Sequence, residues 1–249
     1  MLYLIGTPIG NLEDLSLRAL RILKECDYVL AEDTRVSRRL FDKYEIKTRL
    51  VSFHSFSEHQ KEERLIQDLL SGKTLGLISD AGMPAISDPG EKLVERCRKE
   101  GIPINVIPGP SAVISAMSLY GDTEGKPFQF IGFLPKKGQR PLIAQIAFYD
   151  GISVLFESSH RIAKTLKLFP DHLKVTVMRE LTKIYEEVIV GTALSLQDRE
   201  YRGECVLLIR GEPKQKLSEK HIQFLQEKLG LSDKDTFKLL AKLFARGEE

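Results

Sequence analysis

Two carboxylates, two glycines and two prolines are crowded into one stretch of the chain, Ser79-Asp-Ala-Gly-Met-Pro-Ala-Ile-Ser-Asp-Pro-Gly90. Asp80 and Asp88 are placed to hold a cationic group or to move a proton. Gly82 and Gly90 allow backbone to approach a ligand, while Pro84 and Pro89 stiffen the turns and reduce the entropy lost on ordering. A second charged stretch, Glu32-Asp33-Thr34-Arg35, reads equally as part of a ligand site or as an ion-paired capping network. Two basic clusters, Arg35, Arg38 and Arg39 and then Lys136, Lys137 and Arg140, suit phosphate groups, or the solvated face of a helix. The net charge of +2 does not by itself point to a polyanionic partner.

Several familiar chemistries fail on spacing. Gly72-Lys-Thr74 lacks the first glycine of a P-loop, because Gln67 stands there, and it precedes a strand instead of following one. The chain has no G-x-G-x-x-G, and Gly109-Pro-Ser-Ala-Val113 is not a nucleophile elbow. His54 and His59 have no third ligand at usable spacing, so no metal is expected. Cys26, Cys97 and Cys205 are odd in number, widely spaced and in apolar surroundings, which reads as core packing and not as a disulfide framework.

The elements that would position these residues alternate between strand and helix. Strands are expected at Leu2–Ile5, Tyr28–Ala31, residues 49–53, Thr74–Ile78 and Ile104–Ile107. Helices are expected over 15–25, from a Thr34 cap to about Tyr44, from a Ser57/Gln60 capping box through Leu70, over 91–99, and from Ala112 to about Leu119. This alternation predicts a parallel-rich, doubly wound domain over residues 1–121, with Ser79–Gly90 at a strand's carboxyl end, where ligands of open α/β sheets bind. The polar Gly121–Pro127 stretch reads as an interdomain connection. A mixed α/β domain follows over 122–212, with strands at Phe128–Phe133, Ser153–Glu157, Lys174–Met178, Tyr185–Val190 and Cys205–Ile209 and helices over 139–149 and 158–169. A helical tail over 213–249 carries Ile222, Leu225 and Leu229, a Ser232 cap, and then Phe237, Leu240, Leu243 and Phe244.

With 249 residues the chain can bury a substantial core, and it contains no apolar run approaching the roughly 18 residues of a membrane span. The opening Met-Leu-Tyr-Leu-Ile-Gly reads as a strand, not as a basic leader, so a cytoplasmic protein without a membrane partner is expected.

Seven stretches, taken in order, resemble the ribosomal RNA small-subunit methyltransferase I family within the tetrapyrrole-methylase-like enzymes. They are Gly6-Thr-Pro-Ile-Gly-Asn-Leu12, Ala31-Glu-Asp-Thr-Arg35, Ser79 to Gly90, Pro108-Gly-Pro-Ser111, Gly132-Phe-Leu-Pro135, Phe156-Glu-Ser-Ser-His-Arg161 and Arg179-Glu-Leu-Thr-Lys183. The resemblance implies two α/β domains of the tetrapyrrole-methylase type enclosing a cleft for S-adenosylmethionine, with a short C-terminal helical extension. It also implies 2′-O-methylation of a cytidine ribose in the decoding region of 16S ribosomal RNA. The substrate would be small-subunit ribosomal RNA or the assembled small subunit, and a homodimer is compatible with the sequence.

By that resemblance and by strand-end position, Asp80, Ala81 and Gly82 fit the polar end of the donor. Pro8, Ser111, Ala112, Phe156 and Leu181 line the rest. Asp88, Glu157, Glu180 and Lys183 are candidates for removing the hydroxyl proton or stabilising the forming alkoxide, with none preferred. His160 and Arg161, at a helix start, suit phosphate contact or capping equally, and join the basic clusters as candidate RNA contacts. Methylation of a tetrapyrrole or other small molecule, or a non-catalytic RNA-binding role in subunit assembly, are the competing readings.

Overall fold

The structure is a computed structural model that describes residues 1–212, 222–232, 234–236 and 238, with backbone alone for 55–60. It divides into two compact units, Met1–Ala112 and Val113–Glu249.

In the first unit β1 (Leu2–Ile5), α1 (Leu17–Glu25), β2 (Tyr28–Ala31), α2 (Thr34–Lys43), β3 (Leu50–Ser52), α3 (Ser55–Leu70), β4 (Leu75–Ile78), α4 (Glu91–Lys99) and β5 (Ile104–Ile107) alternate along the chain. The strands form one parallel sheet in the order β3-β2-β4-β1-β5. Each sheet face has its own core. Ala19, Ile22 and Leu23 of α1 and Leu40 and Phe41 of α2 pack with Ile5, Val29 and Ile78. Leu65, Ile66 and Leu69 of α3 and Leu93 and Cys97 of α4 pack with Leu2, Leu30, Leu75 and Leu77. The connection leaving β2 therefore goes to one face and the connection leaving β4, its neighbour, to the other. A crevice must open between two such strand ends; by the same rule the β3–β2 and β4–β1 neighbours also part, so β4 lies among the switch points at which open α/β sheets take ligands.

Caps fix the helix starts differently from the sequence expectation. α1 begins at Leu17 because the Ser16 hydroxyl accepts from the Ala19 N–H at 3.0 Å, while Leu15 is buried ahead of it. α2 is capped by Asp33, whose carboxylate accepts from the Arg35 N–H at 2.8 Å; Thr34 is its first helical residue. The side chains of the Ser57/Gln60 capping box, and that of His59, lie outside the described residues.

The second unit holds most of α5 (Ala112–Tyr120), then β6 (Phe128–Phe133), α6 (Arg140–Ala147), β7 (Ile152–Ser158), α7 (Ser159–Leu166), β8 (Lys174–Arg179), β9 (Glu187–Thr192), α8 (Ala193–Leu196) and β10 (Glu204–Arg210). Its sheet is mixed, in the order β6-β7-β10-β8-β9, with β6 and β7 parallel and the other neighbours antiparallel. The 121/122 boundary moves to the start of α5. Asp122 and Glu124, in the polar stretch expected to link the domains, both pair with Arg210 of β10 and so belong to this unit. β9 starts at Glu187, after the expected Tyr185, because residues 180–186 form a separate turn.

Among the tail residues described, a π-helical turn over Phe224–Lys228 buries Phe224, Leu225 and Leu229 in the core of the second unit. This part of the tail is integral to that unit because its apolar side chains complete the layer formed by α6 and α7. Ser232 does cap the next turn, accepting from the Asp235 N–H at 3.2 Å. Phe237, Leu240, Leu243 and Phe244 lie outside the described residues. No described helix is long and apolar enough to cross a membrane.

Candidate active site at the β2–β4 switch point

The two strand ends at the switch point are tied by a backbone-to-carboxylate bond. The Asp33 N–H donates to Asp80 Oδ1 at 3.0 Å, and the Asp80 backbone lies close enough to the Glu32 carboxylate to favour its charged form. Burial raises the pKa of Glu32, and the nearby negative charges of Asp88 and Asp80 add to the effect. Asp80 and Asp88 are raised as well, chiefly by burial, with a Ser79 hydrogen bond partly opposing the shift at Asp88. Asp33 behaves oppositely. It is held at about 2 by the Arg35 side chain and backbone N–H. Three half-buried carboxylates crowded together favour a hydrogen-bond donor or a cation as their fourth member.

The remaining wall comes from the loops after β1 and β5. Thr7 pairs with Gly82 by two backbone bonds of 2.9 and 3.1 Å, and its buried hydroxyl donates towards the Ser79 and Gly82 carbonyls at 3.2 and 3.3 Å. Gly6 and Gly109 lie backbone on backbone, so a Cβ on Gly6 would fall 2.6 Å from Gly109 Cα and 2.7 Å from Met83 Sδ. Only glycine fits such an approach. Ala85 and Ser87 take left-handed φ values of 62° and 65° within the β4–α4 loop. Such backbone strain in non-glycine residues persists where surrounding structure over-determines it, often at ligand clamps.

This geometry revises one donor contact. The Gly82 N–H is already used by Thr7, so Gly82 cannot offer it to a ligand; the Ala81 N–H has no partner among the described residues. Pro8 is buried in the β1 exit, and Ser111 and Ala112 are half-buried at the start of α5. Thr7, Ser79 and Met83 join the site without a role expected from sequence, although Gly6-Thr-Pro-Ile directly after a strand is the available signal for Thr7; of the two readings of Glu32, the structure places it beside Asp80 and Asp88. Arg35, Arg38 and Arg39 share the exposed face of α2, and Arg35 is engaged by Asp33 at 2.6 Å.

In the second unit the other candidates separate. Glu157 is 2 % exposed and its carboxylate accepts from the Ser158 N–H at 3.0 Å and the Thr165 hydroxyl at 2.7 Å, with Arg161 at 3.4 Å. Its strand position turns it towards α7, opposite in the pleat to the half-buried Phe156. Phe156 instead packs its ring with those of Phe130 and Phe133. Leu181 is buried. Lys183 Nζ lies 3.0 Å from Glu180 and 2.6 Å from Glu204. Burial opposes its charge, but these two carboxylates outweigh burial and raise its pKa. Glu180 is lowered: burial is outweighed by the Glu204 N–H and the Lys183 ammonium. Arg161 donates to the Leu134 carbonyl at 3.2 Å, which ties the start of α7 to the β6–α6 loop that carries Lys136 and Lys137. Arg140 opens α6 and donates to the Gly230 carbonyl at 3.4 Å. Among the described residues no group of three or more His, Cys, Asp or Glu is arranged to hold a metal ion.

Residues 1–197 match the tetrapyrrole (corrin/porphyrin) methylases. A Halalkalibacterium halodurans protein named ribosomal RNA small subunit methyltransferase I is 44 % identical over 220 residues, covering 84 % of this chain and 75 % of that one. Its Thermotoga maritima namesake is 40 % identical, covering 85 % of this chain and 98 % of that one. The chain belongs to the ribosomal RNA small subunit methyltransferase I family. Among solved structures this family member is similar to diphthine synthase, with a TM-score of 0.67 at 16 % identity over 91 % of this chain and 95 % of that one. A cobalt precorrin-4 methyltransferase gives 0.63 at 19 % identity, over 84 % and 93 %. These two likenesses concern the fold.

Proposed function

We propose that the chain transfers a methyl group from S-adenosylmethionine to the ribose 2′-hydroxyl of a cytidine in the decoding region of small-subunit ribosomal RNA, in the cytoplasm. The observation that carries this reading is the switch-point crevice of clasped carboxylates, in a chain 44 % identical to a named small-subunit RNA methyltransferase. The donor supplies an electrophilic methyl carbon on a sulfonium. Asp80, half-buried and raised in pKa by burial, would take the donor's ammonium. The free Ala81 N–H would take the carboxylate, and the Glu32 or Asp88 carboxylate would accept from hydroxyls. Thr7, Gly6 and Gly109 hold the loops in register, so that little ordering remains to be done on binding.

Of the four groups considered for the transfer step, Glu157 is best explained as an internal anchor, because its oxygens are occupied. Asp88 is the stronger candidate base, since its raised pKa brings it nearer to the operating pH. Lys183 is the stronger candidate cation, since Glu180 and Glu204 keep it charged. Arg38, Arg39, Lys136, Lys137, Arg140, His160 and Arg161 would position RNA phosphates. The fold neighbours keep a second reading open to test, methylation of a tetrapyrrole.

One experiment decides among these readings. Small-subunit particles lacking the modification, naked 16S RNA and a tetrapyrrole are offered in parallel with labelled donor. Label at a cytidine 2′-oxygen is the expected result; label on the base or on the tetrapyrrole overturns it, and RNA binding without transfer leaves an assembly factor.

A further inference from the structure

One rim of the second sheet gathers more than the transfer reaction requires. β6 and β7 run parallel, and β10 opposes both β7 and β8, with Cys205 paired to Glu157 on one side and to Arg179 on the other. The β6–α6 loop, the start of α7, the Arg202-Gly203 turn and the β8–β9 turn therefore emerge at the same end of the sheet. Five adjacent strands at ~4.8 Å spacing make this rim about 19 Å wide.

Its two ends carry exposed aromatic rings. Phe133, on edge strand β6, is 58 % exposed, with its ring 5.5 Å from that of Phe156. Tyr185, beside edge strand β9, is 73 % exposed, next to Ile184 at 95 %. The turn bearing Tyr185 is rigidly built. Arg179 donates to the Tyr185 carbonyl at 3.2 Å, and the Lys183 and Glu186 N–H groups donate to the Glu180 and Lys183 carbonyls at 2.9 and 3.1 Å. Glu180 and Thr182 are held at left-handed φ values of 52° and 67°. Holding an aromatic ring in water on a strained, fixed turn gives no folding advantage, but it prepays the ordering cost of a ligand stacking there.

Charge along the rim completes the pattern. Lys183, Arg179 and Arg199 are matched by Glu180, Glu204 and Glu187. Lys136, Lys137, His160 and Arg202 are exposed and enter no ion pair among the described residues. Unmatched basic side chains on the same rim as two exposed rings are the combination that binds a single strand, phosphates on the cations and bases on the rings. A double helix offers no base face to such rings.

The geometry points to this rim as a track for a short single-stranded RNA segment, with Phe133 and Tyr185 as stacking platforms for unpaired bases on either side of the acceptor nucleotide. The inference rests on the RNA reading above and adds that the acceptor must be presented unpaired.

The test uses the full chain with Phe133→Ala, Tyr185→Ala, Phe133→Tyr and Tyr185→Phe, all at exposed positions. Binding is read with a single-stranded RNA oligonucleotide carrying 2-aminopurine, against its duplex, and transfer with unmodified small-subunit particles. Each alanine variant should weaken single-strand binding at least about 5-fold, reduce 2-aminopurine quenching and raise KM for particles while leaving KM for the donor unchanged. The conservative aromatic variants should stay within about 2-fold of the parent, because they keep the stacking face. Equal binding of single strand and duplex, or unchanged quenching in both alanine variants, overturns the inference. So does a lower oligomeric state on sedimentation with unchanged RNA affinity, which would assign the rings to a contact between copies. A parent that methylates no RNA refutes the proposed function instead, and the oligonucleotide arm still reports on the track.

Discussion

The Asp33 backbone N–H donates to the Asp80 carboxylate at 3.0 Å, bridging the exits of two neighbouring strands whose connections leave to opposite faces of the sheet. One side chain thus ties the two exits together through one oxygen, while the other has no hydrogen-bond partner among the described residues.

Asp80→Ala removes this tie and the proposed acceptor for the donor's ammonium. Calorimetry with S-adenosylmethionine should show affinity weakened by about 1–3 kcal/mol, part of it from the Asp33 N–H left without its acceptor. Undiminished affinity would place the donor's polar end elsewhere.

The crowded carboxylates also predict a pH dependence. Asp88 is raised in the folded protein, chiefly by burial. The folded state therefore holds its proton more readily than the unfolded state, and stability declines as pH rises from the unfolded value near 4 through the folded one. Asp88→Asn should melt higher than the parent at pH 7.5, and this advantage should vanish as the pH approaches 4. A lower melting temperature at pH 7.5 would mean that the Ser79 hydrogen bond outweighs the relief from burying a charge.

Lys183→Met keeps the stem's packing and deletes a charge held between Glu180 and Glu204. If that ammonium stabilises the forming alkoxide, single-turnover transfer should slow by roughly 10²-fold while donor and RNA affinities change only a few-fold. A parental rate would leave Lys183 as the tie between the β8–β9 turn and β10.

Thr165→Val tests Glu157 as an anchor. The buried carboxylate loses its hydroxyl donor, so chemical denaturation should show a loss of about 1–3 kcal/mol. Transfer by the folded variant should remain within about 3-fold of the parent. A large rate loss without a stability loss would return Glu157 to the reaction.

The double variant Lys136→Ala, Lys137→Ala addresses the phosphate contacts. Two lost contacts should flatten the slope of log affinity against log salt for single-stranded RNA by about 1.4. Donor affinity should not move, and an identical slope would show that these lysines contact no phosphate.

Much of the fold was legible in the chain because its signals are local. Leu75-Gly-Leu-Ile78 is a continuous apolar run followed by a loop rich in glycine and proline, which is what a central parallel strand and its exit look like. Ser79–Gly90 could thus be placed at a strand end, and the seven ordered stretches identified the family. Strand order was not local. That β4 lies between β2 and β1, so that Asp80 meets Glu32 and Asp33, depends on long-range pairing that residue spacing does not encode. The same limit applied to side-chain partners. Glu157 and Lys183 were alike as charged residues near strand ends, and only the pleat separated them, turning one towards Thr165 in a covered layer and leaving the other between Glu180 and Glu204 at the rim. The Gly82 N–H illustrates the point most simply. Sequence showed a backbone free to approach a ligand, and tertiary structure gave that donor to Thr7, because a buried N–H bonds whatever acceptor the fold brings within reach.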